Sequence, residues 1–350
     1  MHEAAVVDIF CGIGGLTHGF VKEGFGVVAG IDTDATCKYA FEANNGARFI
    51  EKDVADLTAE EVLALYPEDS VKILVGCAPC QPFSRYTRDK ANATKWDLVA
   101  TFAELITDVS PDVVSMENVP ELARHPVFED FQSTLESAGY ECWWKVVACA
   151  DYGVPQSRSR LVFLASKLGP VALLPKTHRP SRRRTVKKAI GTLRPIEAGG
   201  ADERDPIHKA SALSDINLRR IRSTPPGGGW RDWPDDLVLT CHRADTGKSY
   251  PSVYGRMVWD DVGPTITTQC NGLGNGRFGH PEQDRAISLR EAALLQTFPR
   301  YYKLLKPRDE LQVRRLGRHI GNAVPVRLGR IIARSIARHL EAHRCDSVVH

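Results

Sequence analysis

Strand-like and helix-like segments alternate along the first half of the chain, and that alternation leaves few folds open. Runs rich in β-branched residues at 4–10, 26–31, 71–75, 112–116, 142–149 and 161–165 read as strands. Between them, Leu98, Phe102, Leu105, Ile106 and Val109 fall on one helical face, and Thr58 followed by Glu61 spells a capping box. Such alternation predicts an α/β fold, a doubly wound and mostly parallel sheet that holds its ligands beyond the carboxyl ends of the strands. After Ala165 the pattern decays into Pro-, Gly- and Arg-rich sequence, so 166–284 reads as a smaller irregular domain. Helical periodicity returns at 289–296 and 326–343, where Leu328, Ile331, Ile332, Ile336 and Leu340 form an apolar stripe. The expected domains are therefore 1–165, 166–284 and a returning segment 285–350.

Net charge conceals an asymmetry. The whole chain has 46 Lys and Arg against 43 Asp and Glu. Residues 1–165 carry 13 basic and 25 acidic side chains, while 166–350 carry 33 and 18. A swing of that size points to a polyanion partner for the second part. Lys176, Arg179, Arg182, Arg183, Arg184, Lys187, Lys188 and Arg194 place eight positive charges in 19 residues with no acid between them, which favours phosphate contact over a merely solvated loop. Arg327, Arg330, Arg334 and Arg338 lie mostly off the apolar stripe and are assigned to packing and solvation of the last helix. The nine cysteines are odd in number, and Met1 leads into a strand-like run, not a secretory signal, so free thiols in a reducing cytoplasm are expected. No apolar run is long enough for a membrane span.

Four segments carry chemistry. Asp8-Ile-Phe-Cys-Gly-Ile-Gly-Gly-Leu16 puts glycines between a strand and a helix, where backbone N–H groups can approach a ligand. The dinucleotide fingerprint needs a further glycine where Thr17 stands, whereas Asp32 ends the next strand and is placed for ribose hydroxyls. A nucleoside cofactor without a pyrophosphate fits both facts, and so does a structural turn. Gly76-Cys-Ala-Pro-Cys-Gln-Pro-Phe-Ser84 carries a Cys-x-x-Cys pair. It reads as half a zinc site, a redox pair, or a single nucleophile Cys80 on a loop stiffened by Pro79 and Pro82, with Cys77 as strand-end packing. Met116-Glu-Asn-Val-Pro120 offers a carboxyl, Glu117, able to hydrogen-bond a heterocyclic nitrogen, or simply a solvated acid. In Gln156-Ser-Arg-Ser-Arg160 the two arginines alternate onto one face, for an anion or for salt bridges.

Taken together, these segments resemble the cytosine-5 DNA methyltransferases, in the family's order from end to end. The glycine loop, Pro79-Cys80-Gln81, Glu117-Asn118-Val119 and Gln156-x-Arg158-x-Arg160 look like motifs of its catalytic domain. Arg290-Glu-Ala-Ala-Leu-Leu-Gln-Thr-Phe-Pro299 and Gly321-Asn-Ala-Val-Pro325 look like its last two. The family's variable target-recognition region falls on 166–284. Six motifs in order leave the zinc and redox readings of Cys80 no weight.

The resemblance implies roles residue by residue. Cys80 attacks carbon 6 of a flipped-out cytosine, Glu117 contacts ring nitrogen 3 and the exocyclic amine, Arg160 holds oxygen 2, and Arg158 supports the same loop. S-adenosylmethionine is the implied cofactor, with Phe10, Gly12, Gly14, Gly15 and Pro79 lining its pocket. Asp32 binds its ribose and Asp53 its adenine amino group, while Leu98, Asn322 and Ala323 close the pocket. At Thr33 the family often carries a larger side chain, and this chain departs from it there. Gln81 and Ser84, with Arg182, Arg183, Arg184, Lys187 and Lys188, are the implied DNA contacts. The expectation is thus a monomeric bacterial enzyme that methylates a specific double-stranded DNA sequence, with a restriction endonuclease acting on the same site as a partner. A tRNA cytosine methyltransferase and a non-catalytic nucleic-acid-binding relic are the alternatives. The long basic insert favours duplex DNA over tRNA, and the presence of Cys80, Glu117 and Arg160 disfavours the relic.

Overall fold

The structure is a computed structural model that describes residues 4–79, 97–244 and 247–346. The first elements are β1 (Ala4–Ile9), α1 (Gly15–Lys22), β2 (Gly26–Asp32), α2 (Lys38–Asn45), β3 (Arg48–Glu51), α3 (Ala59–Leu63) and β4 (Val71–Gly76). They continue with α4 (Asp97–Val109), β5 (Val113–Asn118), α5 (Pro126–Ser137), β6 (Glu141–Ala148) and β7 (Ser159–Ser166). These strands form one seven-stranded sheet in the order β3-β2-β1-β4-β5-β7-β6. Strands β1 to β5 run parallel, and β7 lies antiparallel between β5 and β6. Strand order reverses between β1 and β4, and sheets of this kind hold their ligands beyond the carboxyl ends at such a switch point.

Each expected strand is present within a residue or two. The short β3 went unpredicted: four residues with charged ends on the sheet edge lack the apolar run that marks a buried strand. Central β5, by contrast, is buried along its whole length. Phe102 and Ile106 of α4 pack on the sheet with Phe131 of α5 and Phe163 of β7. The Thr58–Glu61 capping box forms both of its bonds, Thr58 N–H donating to Glu61 at 2.9 Å and Glu61 N–H to Thr58 at 3.3 Å.

The chain divides into two compact units, one of Met1–Ala148, Ser159–Thr177 and Val324–His350, the other of Cys149–Arg158 and His178–Ala323. The expected segment 285–350 is therefore shared between them, because the last helix, α11 (Val326–Asp346), joins the first. Arg330 and Arg334 of that helix donate to opposite oxygens of Glu23, each at 2.6 Å. At Gly19 of α1 an added Cβ would lie 2.4 Å from the backbone of Gly329, so these two helices meet backbone to backbone.

The second unit contains α6 (Val186–Ile190), β8 (Ala201–Asp202), β9 (Asp205–Lys209), α7 (Asp215–Arg222), α8 (Thr240–Arg243), α9 (Leu289–Leu295) and α10 (Val313–Asn322). Regular structure is sparse, as its composition predicts, and buried polar groups give it order. Fully buried Arg285 donates to both oxygens of Glu291 at 2.7 and 2.8 Å, while Glu291 caps α9 with Ser288. Buried Arg256 donates to the carbonyls of Ile221 and Thr224 at 2.6 and 2.8 Å and to Asp284 at 2.7 Å. No described helix is long and apolar enough to cross a membrane.

Candidate active site at the carboxyl ends of the strands

At the end of β1 the backbone turns through three residues with positive φ, Phe10, Gly12 and Gly14, and Gly14 is the residue before α1. Glycine suits the two latter positions because an added Cβ would be strained there. Gly12 N–H donates to Asp32 Oδ2 at 2.8 Å and Asp34 N–H to Oδ1 at 2.9 Å, so two backbone amides fix the carboxylate that ends β2. Asp53 is exposed beyond β3 and accepts from Ala55 N–H at 3.0 Å. Phe10 is half-buried and stands edge-on to Phe102, and Leu98 at the start of α4 is half-buried. Beneath the turn, the buried Thr17 hydroxyl donates to Asp8, and burial pushes that carboxyl up to about 7. Thr17, which breaks the dinucleotide fingerprint, thus ties α1 to β1. Burial likewise pushes the Cys11 thiol well up.

The second cluster lies where β4, β5 and β7 meet. Glu117 is buried at the end of β5, and its Oε2 accepts from the Cys77 thiol at 2.9 Å. Its Oε1 lies 2.8 Å from Arg160 Nε, in an ion pair that lacks the alignment of a hydrogen bond. Antiparallel pairing produces this contact: Glu117 sits opposite Val162, and the same face of β7 two residues on carries Arg160. The neighbouring Asn118, also buried, donates to the Ala78 carbonyl at 3.2 Å. It thereby pins the chain two residues before Cys80. Pro79 is half-buried beside it. Cys80, Gln81 and Ser84 lie outside the described residues.

Cys77, expected to be strand-end packing, is instead a hydrogen-bond donor to Glu117. Nothing in the sequence marks it, because the partner is 40 residues away on a neighbouring strand. Arg158 is buried and Arg160 half-buried, alternating with exposed Ser157 and Ser159, and their guanidinium groups go to different partners. Arg158 lies in the second unit and donates to the Ile266 carbonyl at 3.0 Å. In the same unit, fully buried Gln156 donates to Leu295 O and Gln296 Oε1 at 2.8 and 2.9 Å and accepts from Ile266 N–H at 2.9 Å. Gln296 in turn donates to the carbonyls of Ile320 and Ala323 at 2.7 and 3.0 Å. Asn322, exposed, ends α10 beside half-buried Ala323.

The basic run also resolves into different jobs. Half-buried Arg183 donates to buried Asp151 at 2.5 Å and is held within the second unit. Arg182, Lys187 and Lys188 are exposed and Arg184 is half-buried, while Val186 and Ile190 anchor α6.

A parallel sheet extended by an antiparallel β7, with a glycine turn after β1 and carboxylates ending β2 and β5, defines an α/β methyltransferase of Rossmann-like fold. The crystal structure of an E. coli prophage protein, bearing the description of a DNA modification methyltransferase, superimposes with a TM-score of 0.73 at 22% identity, covering 97% of this chain and 100% of that one. The model of the C-5 cytosine-specific DNA methylase family matches residues 4–338. The chain belongs to that family and is a DNA (cytosine-5-)-methyltransferase. It is 58% identical over 340 residues to the Type II methylase M.HgiDII of Herpetosiphon aurantiacus, covering 96% of each chain. It is also 29% identical over 369 residues to the Type II methyltransferase M.XorII of Xanthomonas oryzae pv. oryzae, covering 95% of this chain and 84% of that one.

Proposed function

We propose that this enzyme methylates carbon 5 of a flipped-out cytosine in a specific double-stranded DNA sequence through a covalent Cys80 adduct. The observation that carries the reading is the buried Glu117 carboxylate at the end of β5, held by Cys77 and Arg160, beside an asparagine that anchors the chain just before Cys80.

S-adenosylmethionine fits the residues present: an added Cβ at Gly12 would meet no atom within 4 Å, and Asp32 stands beside that opening with its orientation fixed by two amides. Phe10, Gly12, Gly14, Gly15, Asp32, Asp53, Pro79 and Leu98, with Asn322 and Ala323, are the residues to hold it. When bound, this cofactor supplies an electrophilic methyl group for carbon 5. Glu117 gives a proton to ring nitrogen 3 and accepts from the exocyclic amine, which draws electron density from the ring and opens carbon 6 to attack. The Cys80 sulfur bonds to carbon 6 and leaves carbon 5 electron-rich. Once carbon 5 is alkylated, its proton passes to water and the Cys80–carbon 6 bond breaks, returning the thiolate, while ring nitrogen 3 gives its proton back to Glu117. Arg160 holds oxygen 2 of the base, while Arg158 supports the loop that carries it.

Because carbon 6 is shielded in a stacked duplex, extruding the nucleotide costs about a few kcal/mol, offset by contacts in the pocket and to the backbone. Residues 1–165 serve as the cofactor and catalytic part, 166–284 as the target-recognition part and 285–350 as the returning motifs. Gln81 and Ser84 contact the DNA near the target base. Arg182, Arg184, Lys187 and Lys188 contact phosphates, with Arg183 shaping the same segment through Asp151. Similarity to Type II methylases supports a modification enzyme paired with an endonuclease that cuts the same site, and the reading takes it as a cytoplasmic monomer.

Bisulfite sequencing of DNA from cells expressing the chain, with transfer of labelled methyl to DNA and to tRNA in vitro, tests the reading. Methylcytosine at one DNA sequence, abolished by Cys80→Ser, is the expected result. Label in tRNA alone overturns the substrate, and full activity of Cys80→Ser overturns the adduct.

A further inference from the structure

We infer that Cys77 is a positioning residue for the methyl transfer, acting by holding one oxygen of Glu117. This rests on the reading of Glu117 as the residue that contacts the target base.

Glu117 has three side-chain rotors and is 2% exposed, so its carboxylate finds its orientation from protein partners instead of water. Its two contacts among the described residues divide the labour. Arg160 Nε stands 2.8 Å from Oε1 without pointing its N–H along the contact, which supplies charge but little direction. The Cys77 thiol supplies direction at Oε2, at 2.9 Å. With each oxygen engaged from a different side, the carboxylate plane cannot turn about its last bond without breaking a contact.

Cys77 is itself well placed to act as a fixed point. Its N–H donates to the Ile9 carbonyl at 3.3 Å, continuing the β1–β4 ladder one residue past the end of β4. The next residue, Ala78, is bound through its carbonyl to Asn118. Glu117 to Cys77 and Asn118 to Ala78 are thus two adjacent rungs between the ends of β5 and β4. A thiol suits the inner rung: it donates weakly, so it orients the carboxylate while leaving its remaining lone pairs for a substrate. Such orientation counts at the moment of reaction, when a group displaced by a fraction of an ångström loses much of its effect.

Loss of the rung leaves Glu117 free to swing toward Arg160. The expected consequence is a lower kcat with an unchanged KM for DNA, since the substrate still binds but meets a misaligned carboxylate.

The test compares Cys77→Ala, Cys77→Ser, Glu117→Gln and the Cys77→Ala/Glu117→Gln double variant in the full-length enzyme. Steady-state methyl transfer to DNA and thermal unfolding are measured for each. Cys77→Ala is expected to lower kcat about tenfold with KM within about twofold of the parent, while Cys77→Ser, which keeps a donor, recovers most of the loss. On the Glu117→Gln background, Cys77→Ala is expected to cost nothing further, because it acts through the group already removed. Parental kcat in Cys77→Ala, an equal defect in Cys77→Ser, or a full additional loss in the double variant overturns the positioning role. Parental activity in Glu117→Gln overturns the reading of Glu117 instead, so the two failures are told apart.

Discussion

Glu117 and Arg160 form an ion pair across the junction of β5 and β7, with side-chain exposures of 2% and 14% and a separation of 2.8 Å. Neither strand follows the other in sequence, and the pair exists because β7 inserts antiparallel between β5 and β6. Removing one partner of a buried pair leaves an uncompensated charge, a cost of about 3–5 kcal/mol. Arg160→Ala should therefore lower stability by that order in urea unfolding and strongly reduce methyl transfer. Arg160→Lys should recover more stability than activity, since an ammonium restores charge but not the guanidinium's shape. Equal recovery of both would sink the assignment of Arg160 to the base.

Asp8 should give the enzyme a pH-dependent stability. Burial is the main cause that raises its carboxyl from 3.8 to about 7, partly opposed by the Thr17 hydrogen bond. The native state therefore keeps a proton that the unfolded chain releases, so this contribution is complete below about pH 4 and is lost as pH rises through about 7. Asp8→Asn, which still accepts from Thr17, should be more stable relative to the parent at pH 8 than at pH 5 in thermal melts. A gap that does not change with pH contradicts the assignment.

His280 should pull the other way. Burial is the first cause that lowers it from 6.5 to about 4; Glu291 opposes the shift, while Arg285, Arg256 and His208 add to it. Its Nδ1 accepts from the N–H groups of Glu282 and Gln283 at 3.2 and 2.9 Å, which requires the neutral ring. The stability it contributes is present above about pH 6.5 and is lost as pH falls toward about 4. Urea unfolding of His280→Asn at pH 7 and pH 5 should show a smaller loss on acidification than the parent. In the parent, Asp8 and His280 oppose each other over that interval, so the variants reveal slopes that the whole protein partly hides.

Close contact between α1 and α11 predicts a steep cost for the smallest possible insertion. Gly19→Ala places a methyl 2.4 Å from the Gly329 backbone, where no side chain can move aside. A destabilisation of about 3 kcal/mol is expected in denaturant unfolding. Gly24→Ala, just beyond the end of α1, meets no atom within 4 Å and pays only for its φ of +85°, so it should cost less. Equal costs at the two positions would refute the packing argument.

Legibility in sequence followed locality. Alternation of short apolar runs with one-faced helices revealed the first six long strands, and the Thr58–Glu61 cap could be read directly because both of its bonds span three residues. Motif order brought out Glu117, Arg160 and the glycine turn. What stayed hidden depended on strand order. The Cys77 contact needs β4 beside β5, and the Arg160 contact needs β7 reversed against β5. The Gln156–Gln296 pair joins residues 140 apart inside a unit almost without strands, where no periodicity reports on neighbours. Arg183 showed the limit of charge counting: in sequence it is one of eight cations, whereas in the fold it is committed to Asp151.

The division of the first unit among three stretches of chain also sets a timetable. On a ribosome the sheet can assemble once β7 has emerged, but α1 then keeps a bare glycine-marked face until Val324–His350 follows, after the whole of His178–Ala323. The nascent chain must therefore carry an incompletely covered first helix throughout the synthesis of its basic segment. A chain stalled before α11 would hold every residue of the glycine turn yet lack the last piece of the wall behind it.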